Sequence, residues 1–121
     1  MNAKRILVID DNHDIAEIVC ATGESMKISC TMVSDVASLF AALTPEISLV
    51  VMDLKMPEMS GAELMVKLAA HGCKARLLLM SGVGPNALRE AEQLGRSLGL
   101  DVLGSLAKPF RGAELRAMLG R

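Results

Sequence analysis

Apolar runs of strand length alternate with amphipathic stretches from one end of the chain to the other. Ile6–Asp10 begins as a continuous run of leucine and β-branched residues, the pattern of a strand covered on both faces. A helix is predicted over roughly Asp14–Met26, where Ile15, Ile18, Val19 and Met26 fall near helical spacing. Ser29–Val33 is weaker and alternating, as an edge strand would be. Val36–Leu43 reads as a short helix, capped by Ser34 or Asp35 and closed before Pro45. Ile47–Asp53 is the most apolar run and is expected at the centre of a sheet. Pro57 and Gly61 mark a loop, and Ser60-Gly61-Ala62-Glu63 has capping-box spacing, so a third helix starts there. Leu64, Met65, Leu68 and Ala69 form its buried stripe, and Gly72 stops it. Arg76–Met80 is the fourth strand. Pro85 suits the first turn of a helix reaching about Leu98, before Gly99. Val102–Ala107 and Arg111–Leu119 supply the fifth strand and the fifth helix.

Strict alternation of strand and helix with short connections implies an α/β fold with a parallel sheet and right-handed crossovers. Open sheets of this kind bind ligands at the carboxyl ends of their strands. Asp10, Asp11, Asp53, Ser81 and Lys108 all fall at such ends. Two neighbouring strands would bring the three acids to one edge. Carboxylates that close repel one another, so the cluster persists only with positive compensation. A divalent cation and Lys108 are the candidates. The constellation reads as a site for Mg²⁺ and a phosphoryl group. Mg²⁺ takes hard oxygen ligands and keeps several waters, so a few carboxylates suffice. Phosphoryl transfer needs an in-line nucleophile and neutralised equatorial oxygens. Gly82 has no side chain to obstruct such a pocket, and the backbone amides of Leu54 and Gly82 are expected to reach it. Each residue also has a plainer reading. Asp10-Asp11, or Asn12, could cap the first helix; Asp53 could be an ordinary strand-end acid, Ser81 a turn residue and Lys108 a solvated lysine. Their joint order along the chain favours the site. His13 and His71 lack metal-site spacing and read as surface residues. Met52, Met56 and Met59 read as packing.

Composition narrows the classes further. A chain of 121 residues, 51% of them apolar, is expected to form one domain, 1–121, with a sizeable core. The formal net charge is -1 and the basic residues are scattered, which argues against direct nucleic-acid binding. With two Phe and neither Trp nor Tyr, the chain offers no platform for stacking bases. No apolar run is long enough to span a membrane, and the first strand starts too early for a leader to precede it. Cys20, Cys30 and Cys73 are odd in number and lack metal-like spacing, so three reduced thiols in a cytoplasmic protein are expected.

Asp10-Asp11, Asp53-Leu54-Lys55-Met56-Pro57 with Gly61 after it, Ser81-Gly82 and Lys108-Pro109-Phe110 together resemble the receiver domain of two-component response regulators. The resemblance covers essentially the whole chain. It implies a flavodoxin-like (βα)5 three-layer sandwich with strand order 2-1-3-4-5. It also implies that Asp53 is the phosphoacceptor, attacking the phosphohistidine of a sensor histidine kinase or phosphotransfer protein. Asp11 and Asp53 would hold Mg²⁺ (or Mn²⁺) directly with the backbone carbonyl of Lys55, and Asp10 would act through water. Ser81 would donate a hydrogen bond to the phosphoryl oxygens, Lys108 would pair with them, and the Lys108–Pro109 peptide would be cis. The implied function is a phosphorylation-dependent switch that controls an output domain or partner protein. Its only chemistry would be its own phosphorylation and hydrolysis. Two other readings stay open: a small Mg²⁺-dependent phosphatase with an aspartyl nucleophile, and an interaction module that no longer takes phosphate. Asn12 weakens the first, since a second Asp would stand there. The complete acid, Ser and Lys set argues against the second. A homodimer through the fourth or fifth helix stays open.

The chain departs from the family pattern at three places. Ser105 stands where the family carries an aromatic residue on the fifth strand, so no swinging ring can transmit the signal. The segment from Ser81 to Lys108 is longer than usual; the extra residues are assigned to the fourth helix, and the stretch looks similar to receivers fused to cyclic-di-GMP phosphodiesterase domains. Lys55 lies beside the path of an attacking water, where it could pair with the phosphoryl group and alter its lifetime, and Val83 offers no polar group to orient that water, so slow self-dephosphorylation is expected.

Overall fold

The computed structural model describes residues 4–121. Residues 1–3, on which the expectation about a leader rests, lie outside the described residues. In chain order the elements are β1 (Arg5–Ile9), α1 (His13–Ser25), β2 (Ser29–Val33), α2 (Val36–Ala42), β3 (Leu49–Asp53), α3 (Gly61–Ala70), β4 (Arg76–Ser81), α4 (Pro85–Ser97), β5 (Asp101–Ala107) and α5 (Gly112–Leu119). The strands form one sheet in the order β2-β1-β3-β4-β5, and every pairing is parallel, as expected. β3 begins two residues later than the apolar run predicts, because the Ile47 amide closes a turn onto the Thr44 carbonyl.

Alternate residues of each strand feed two cores. Leu7, Ile9, Val50, Met52, Leu77 and Leu79 face α2, α3 and α4. Ile6, Val8, Leu49, Val51, Leu78 and Met80 face α1 and α5. This is the period-two geometry of a strand buried on both sides. The helix starts are fixed locally. Asn12 caps α1 by accepting from the Asp14 amide, Asp35 caps α2 by accepting from Ser38, and Ser60 caps α3 by accepting from Glu63. α4 starts instead at Gly84, whose φ of 107° favours glycine, followed by Pro85. Among the described residues, no helix is long and apolar enough to cross a membrane.

Three expectations are corrected. The buried stripe of α1 is Ala16, Val19, Cys20 and Gly23, while Ile18 is 48% exposed. Small residues win there because the helix lies close to the sheet: a Cβ on Gly23 would stand 3.0 Å from Ile6 Cδ1. Cys20 and Cys30 are not free thiols but a disulfide joining α1 to β2, with Cα atoms 5.2 Å apart. Helix and edge strand pack directly on one another, which brings the two sulfurs together; Cys73 alone stays unpaired. Finally, not all the extra length before Lys108 lies in α4. β5 carries a bulge, since Val102 pairs with Leu77 but Gly104 pairs with Leu78, leaving Leu103 over.

Candidate functional site

Four strand ends build the site. Asp10 follows β1 directly, and Asp53 is the last residue of β3, the neighbouring strand. Both side chains are withdrawn from solvent, at 1% and 5% exposure, while Asp11 stays exposed one residue on. Carboxylate oxygens of Asp10, Asp11 and Asp53 all lie within 4.8 Å of one another. The predicted cluster therefore forms. Lys108, just after β5, reaches across the sheet end. Its Nζ donates to Asp10 Oδ2 at 2.9 Å and stands 3.5 Å from Asp53 Oδ1. The Lys108 amide donates to the Ser81 carbonyl at 2.9 Å, and its peptide bond to Pro109 is cis, as the resemblance implies.

The two buried acids are held differently. Asp10 Oδ1 accepts from the Asn12 amide at 2.8 Å, so both its oxygens are engaged. Besides the 3.5 Å approach of Lys108, Asp53 receives one long 3.4 Å bond from the Lys55 amide. Burial pushes the Asp53 carboxyl above the usual range; the Lys108 ammonium pulls the other way, and the charge of Asp10 adds to the rise. Asp53 thus keeps lone pairs free in a poorly solvated pocket beside an ammonium, an arrangement suited to a nucleophilic oxygen. Hard carboxylate oxygens at this spacing also suit Mg²⁺, which binds through one or two carboxylates and retains waters. A cavity of about 320 Å³ opens beside Asp10 and Asp11 towards Val33 and Ser34.

Ser81 ends β4, fully buried, and its Oγ accepts from the Val83 amide at 3.1 Å, which leaves the hydroxyl proton to be donated. The backbone expectations fare less well. The Leu54 amide is taken up by the Met80 carbonyl at 2.9 Å, because it closes the last pair of the β3–β4 ladder, Asp53 with Met80. The amide facing Asp53 is that of Lys55. Gly82 is exposed, and an added Cβ would meet Lys108 only at ordinary contact distances of 3.9 and 4.0 Å, so this arrangement does not require a glycine. Gly61 does require one: a Cβ there would stand 2.9 Å from Leu54 Cα. His13 lies on the surface, 2.9 Å from Glu17.

Ser105 is occupied rather than vacant. Its Oγ donates to Glu92 Oε2 of α4 at 2.5 Å, and Arg96 stands 3.3 Å from the other oxygen of Glu92. The bulge in β5 makes this possible, since it lets Val102 and Ser105 face the same helix at an odd spacing. The sequence reading missed Glu92 and the bulge; Gly104 inside an apolar run was the available signal.

The model of the response regulator receiver domain family matches residues 6–120. The chain belongs to that family. It is 33% identical over 120 residues to the transcriptional regulatory protein FixJ of Azorhizobium caulinodans, an alignment covering 94% of this chain and 54% of that protein. The chain thus spans about half the length of that relative. Among solved structures, it is similar to a response regulator from Colwellia psychrerythraea, with a TM-score of 0.81, 26% identity, and coverage of 97% of this chain and 94% of that one. The chemotaxis protein CheY4 of Vibrio cholerae shares the fold, with a TM-score of 0.81 at 22% identity over 98% of both chains.

Proposed function

We propose that this chain is a phosphorylation-dependent signalling switch whose phosphoacceptor is Asp53. The observation that carries the reading is the pairing of a buried, raised-pKa carboxylate with Lys108 inside a three-acid cluster at the sheet end. One Asp53 oxygen attacks the phosphorus of a phosphohistidine on a sensor kinase or phosphotransfer protein. The O–P bond forms as the N–P bond breaks, and the imidazole leaves. Lys108 neutralises one phosphoryl oxygen, Ser81 donates its hydroxyl proton to another, and the Lys55 amide stands ready beside them. Asp11, Asp53 and the Lys55 carbonyl would hold Mg²⁺ (or Mn²⁺), with Asp10 acting through water; the cation offsets repulsion between carboxylate and phosphate. The new group adds a charge of roughly -1.5 to -2. It shifts an equilibrium between two surfaces, which an output domain or partner protein reads. We place this switch in the cytoplasm, as a single domain without external turnover. The phosphatase reading loses ground because Asn12 uses its side chain to cap α1.

The test is acetyl phosphate with Mg²⁺, read by intact mass. Wild type should gain one phosphoryl group and Asp53→Ala none; no gain in wild type refutes the reading, and gain in Asp53→Ala moves the acceptor elsewhere. Slow hydrolysis belongs to the same proposal. Val83, whose amide donates to Ser81 Oγ, is 51% exposed and carries no polar group to orient water. Lys55→Asn and Val83→Glu should each shorten the phosphorylated lifetime by roughly 10-fold, since a side chain that positions water restores general-base help. Unchanged or longer lifetimes would overturn this part.

A further inference from the structure

The loop from Leu54 to Ser60 carries the Lys55 carbonyl; its first amide, Leu54, is held by the Met80 carbonyl of β4, and its other backbone–backbone bonds close it on itself and on the start of α3. The Leu54 carbonyl accepts from the Gly61 amide at 2.9 Å, Lys55 and Ser60 form an antiparallel bridge, and Met56 is sunk in the core. Glu58 differs. Its Oε1 accepts from the Val36 amide at 3.0 Å, 22 residues away in sequence. Val36 is the first residue of α2, so its amide has no acceptor within the helix. Asp35 serves the Ser38 amide instead, at 2.7 Å. The Val36 side chain is buried, so an unpaired amide beside it would be poorly hydrated and costly.

The placement gives this bond its meaning. α2 follows β2, the loop follows β3, and β1 lies between those two strands. Asp10 and Asp11 stand at the end of β1, and the Asp10 amide donates to the Val33 carbonyl at 3.4 Å, three residues before Val36. Glu58 therefore ties the two loops that flank the acid cluster. We infer that Glu58 is a positioning residue for cation binding: its bond to the Val36 amide fixes the loop that presents the Lys55 carbonyl to Asp11 and Asp53. The inference rests on the metal reading under Proposed function. Mg²⁺ demands near-ideal octahedral geometry, so a ligand carbonyl on an untethered loop binds it less well.

The experiment compares wild type, Glu58→Ala and Glu58→Gln by amide NMR, measuring Mg²⁺ affinity by titration and Val36 amide exchange without metal. Glu58→Ala should bind Mg²⁺ about 5-fold more weakly, the effect of one typical hydrogen bond, and should speed Val36 exchange. Glu58→Gln keeps an acceptor oxygen and should stay within about 2-fold of wild type in both readouts. Wild-type Mg²⁺ affinity in Glu58→Ala overturns the inference alone. Equal weakening in both variants also overturns it, because the charge and not the tie would then matter. A wild type that binds no Mg²⁺ overturns the metal reading and this inference with it, while Val36 exchange still reports whether the tie exists.

Discussion

Lys108 stands nearer to Asp10 than to Asp53, at 2.9 against 3.5 Å, so the more loosely held of the two buried carboxylates is the proposed acceptor. That imbalance has a stability consequence. The folded state raises the Asp53 pKa, chiefly through burial, so between its ordinary and raised values the native protein binds more protons than the unfolded chain. The stability contributed by the protonated group is present below the unfolded pKa and is lost as pH rises through the folded one. At neutral pH the ionised Asp53 therefore destabilises the fold. Asp53→Asn should be more stable than wild type by about 1 kcal/mol at neutral pH without metal, and the gain should vanish below the ordinary carboxylate range. Urea unfolding followed by circular dichroism measures both; equal stability at neutral pH would refute the argument. The strand-end side chains at 10, 11, 53, 81 and 108 were legible because a parallel sheet fixes where each strand must end. The backbone donors were not: whether the amide of Leu54 or of Lys55 faces Asp53 depends on how far the β3–β4 ladder runs, and no side chain signals that.

Element order was legible in the alternation of strand and helix patterns, and strand order in the family resemblance, but the inner face of α1 was legible only in part. Val19 is buried and Ile15 and Met26 pack against the core, as the spacing predicts, but Ile18 turns outward, and close approach to the sheet brings in Ala16, Cys20 and Gly23 instead. The disulfide follows from that misjudged face. Cys20 points inward, towards β2, and meets Cys30 there; ten residues of sequence separation carried no hint of it. In a reducing cytoplasm this pair would open, so its presence is set by compartment. Protein purified without reductant should titrate one thiol after denaturation, that of Cys73. Adding reductant should lower unfolding stability by about 2–3 kcal/mol, the loop-closure contribution for a ring of this size. Three titratable thiols in the unreduced, denatured protein would show that the pair does not form. The fourth helix is secured in another way: Gly95 lies so close to β5 that a Cβ would stand 2.7 Å from Val102 Cγ2, and Glu92 binds Ser105 nearby. Such a contact couples α4 to β5 through a hydroxyl.

Across the whole molecule, only the folded chain gathers residues 10, 11 and 53 at one point, so a cation bound there must stabilise the fold. Mg²⁺ at about 100 times its dissociation constant should add about 2.7 kcal/mol to unfolding stability. Asp11→Ala should lose most of that gain while keeping the fold, because Asp11 is exposed and outside both cores. Thermal unfolding with Mg²⁺ or chelator reads the difference, and an equal gain in the variant would place the cation elsewhere. The bulge at Leu103 and Gly104 has a last consequence for the outline of the sheet. It breaks the even ladder of donors and acceptors along the β5 rim, which makes that rim a poor template for another backbone. The β2 rim keeps a regular register over all five residues. Any lateral recruitment of an extended peptide by this sheet would therefore run along β2, on the flank where the acidic cavity opens.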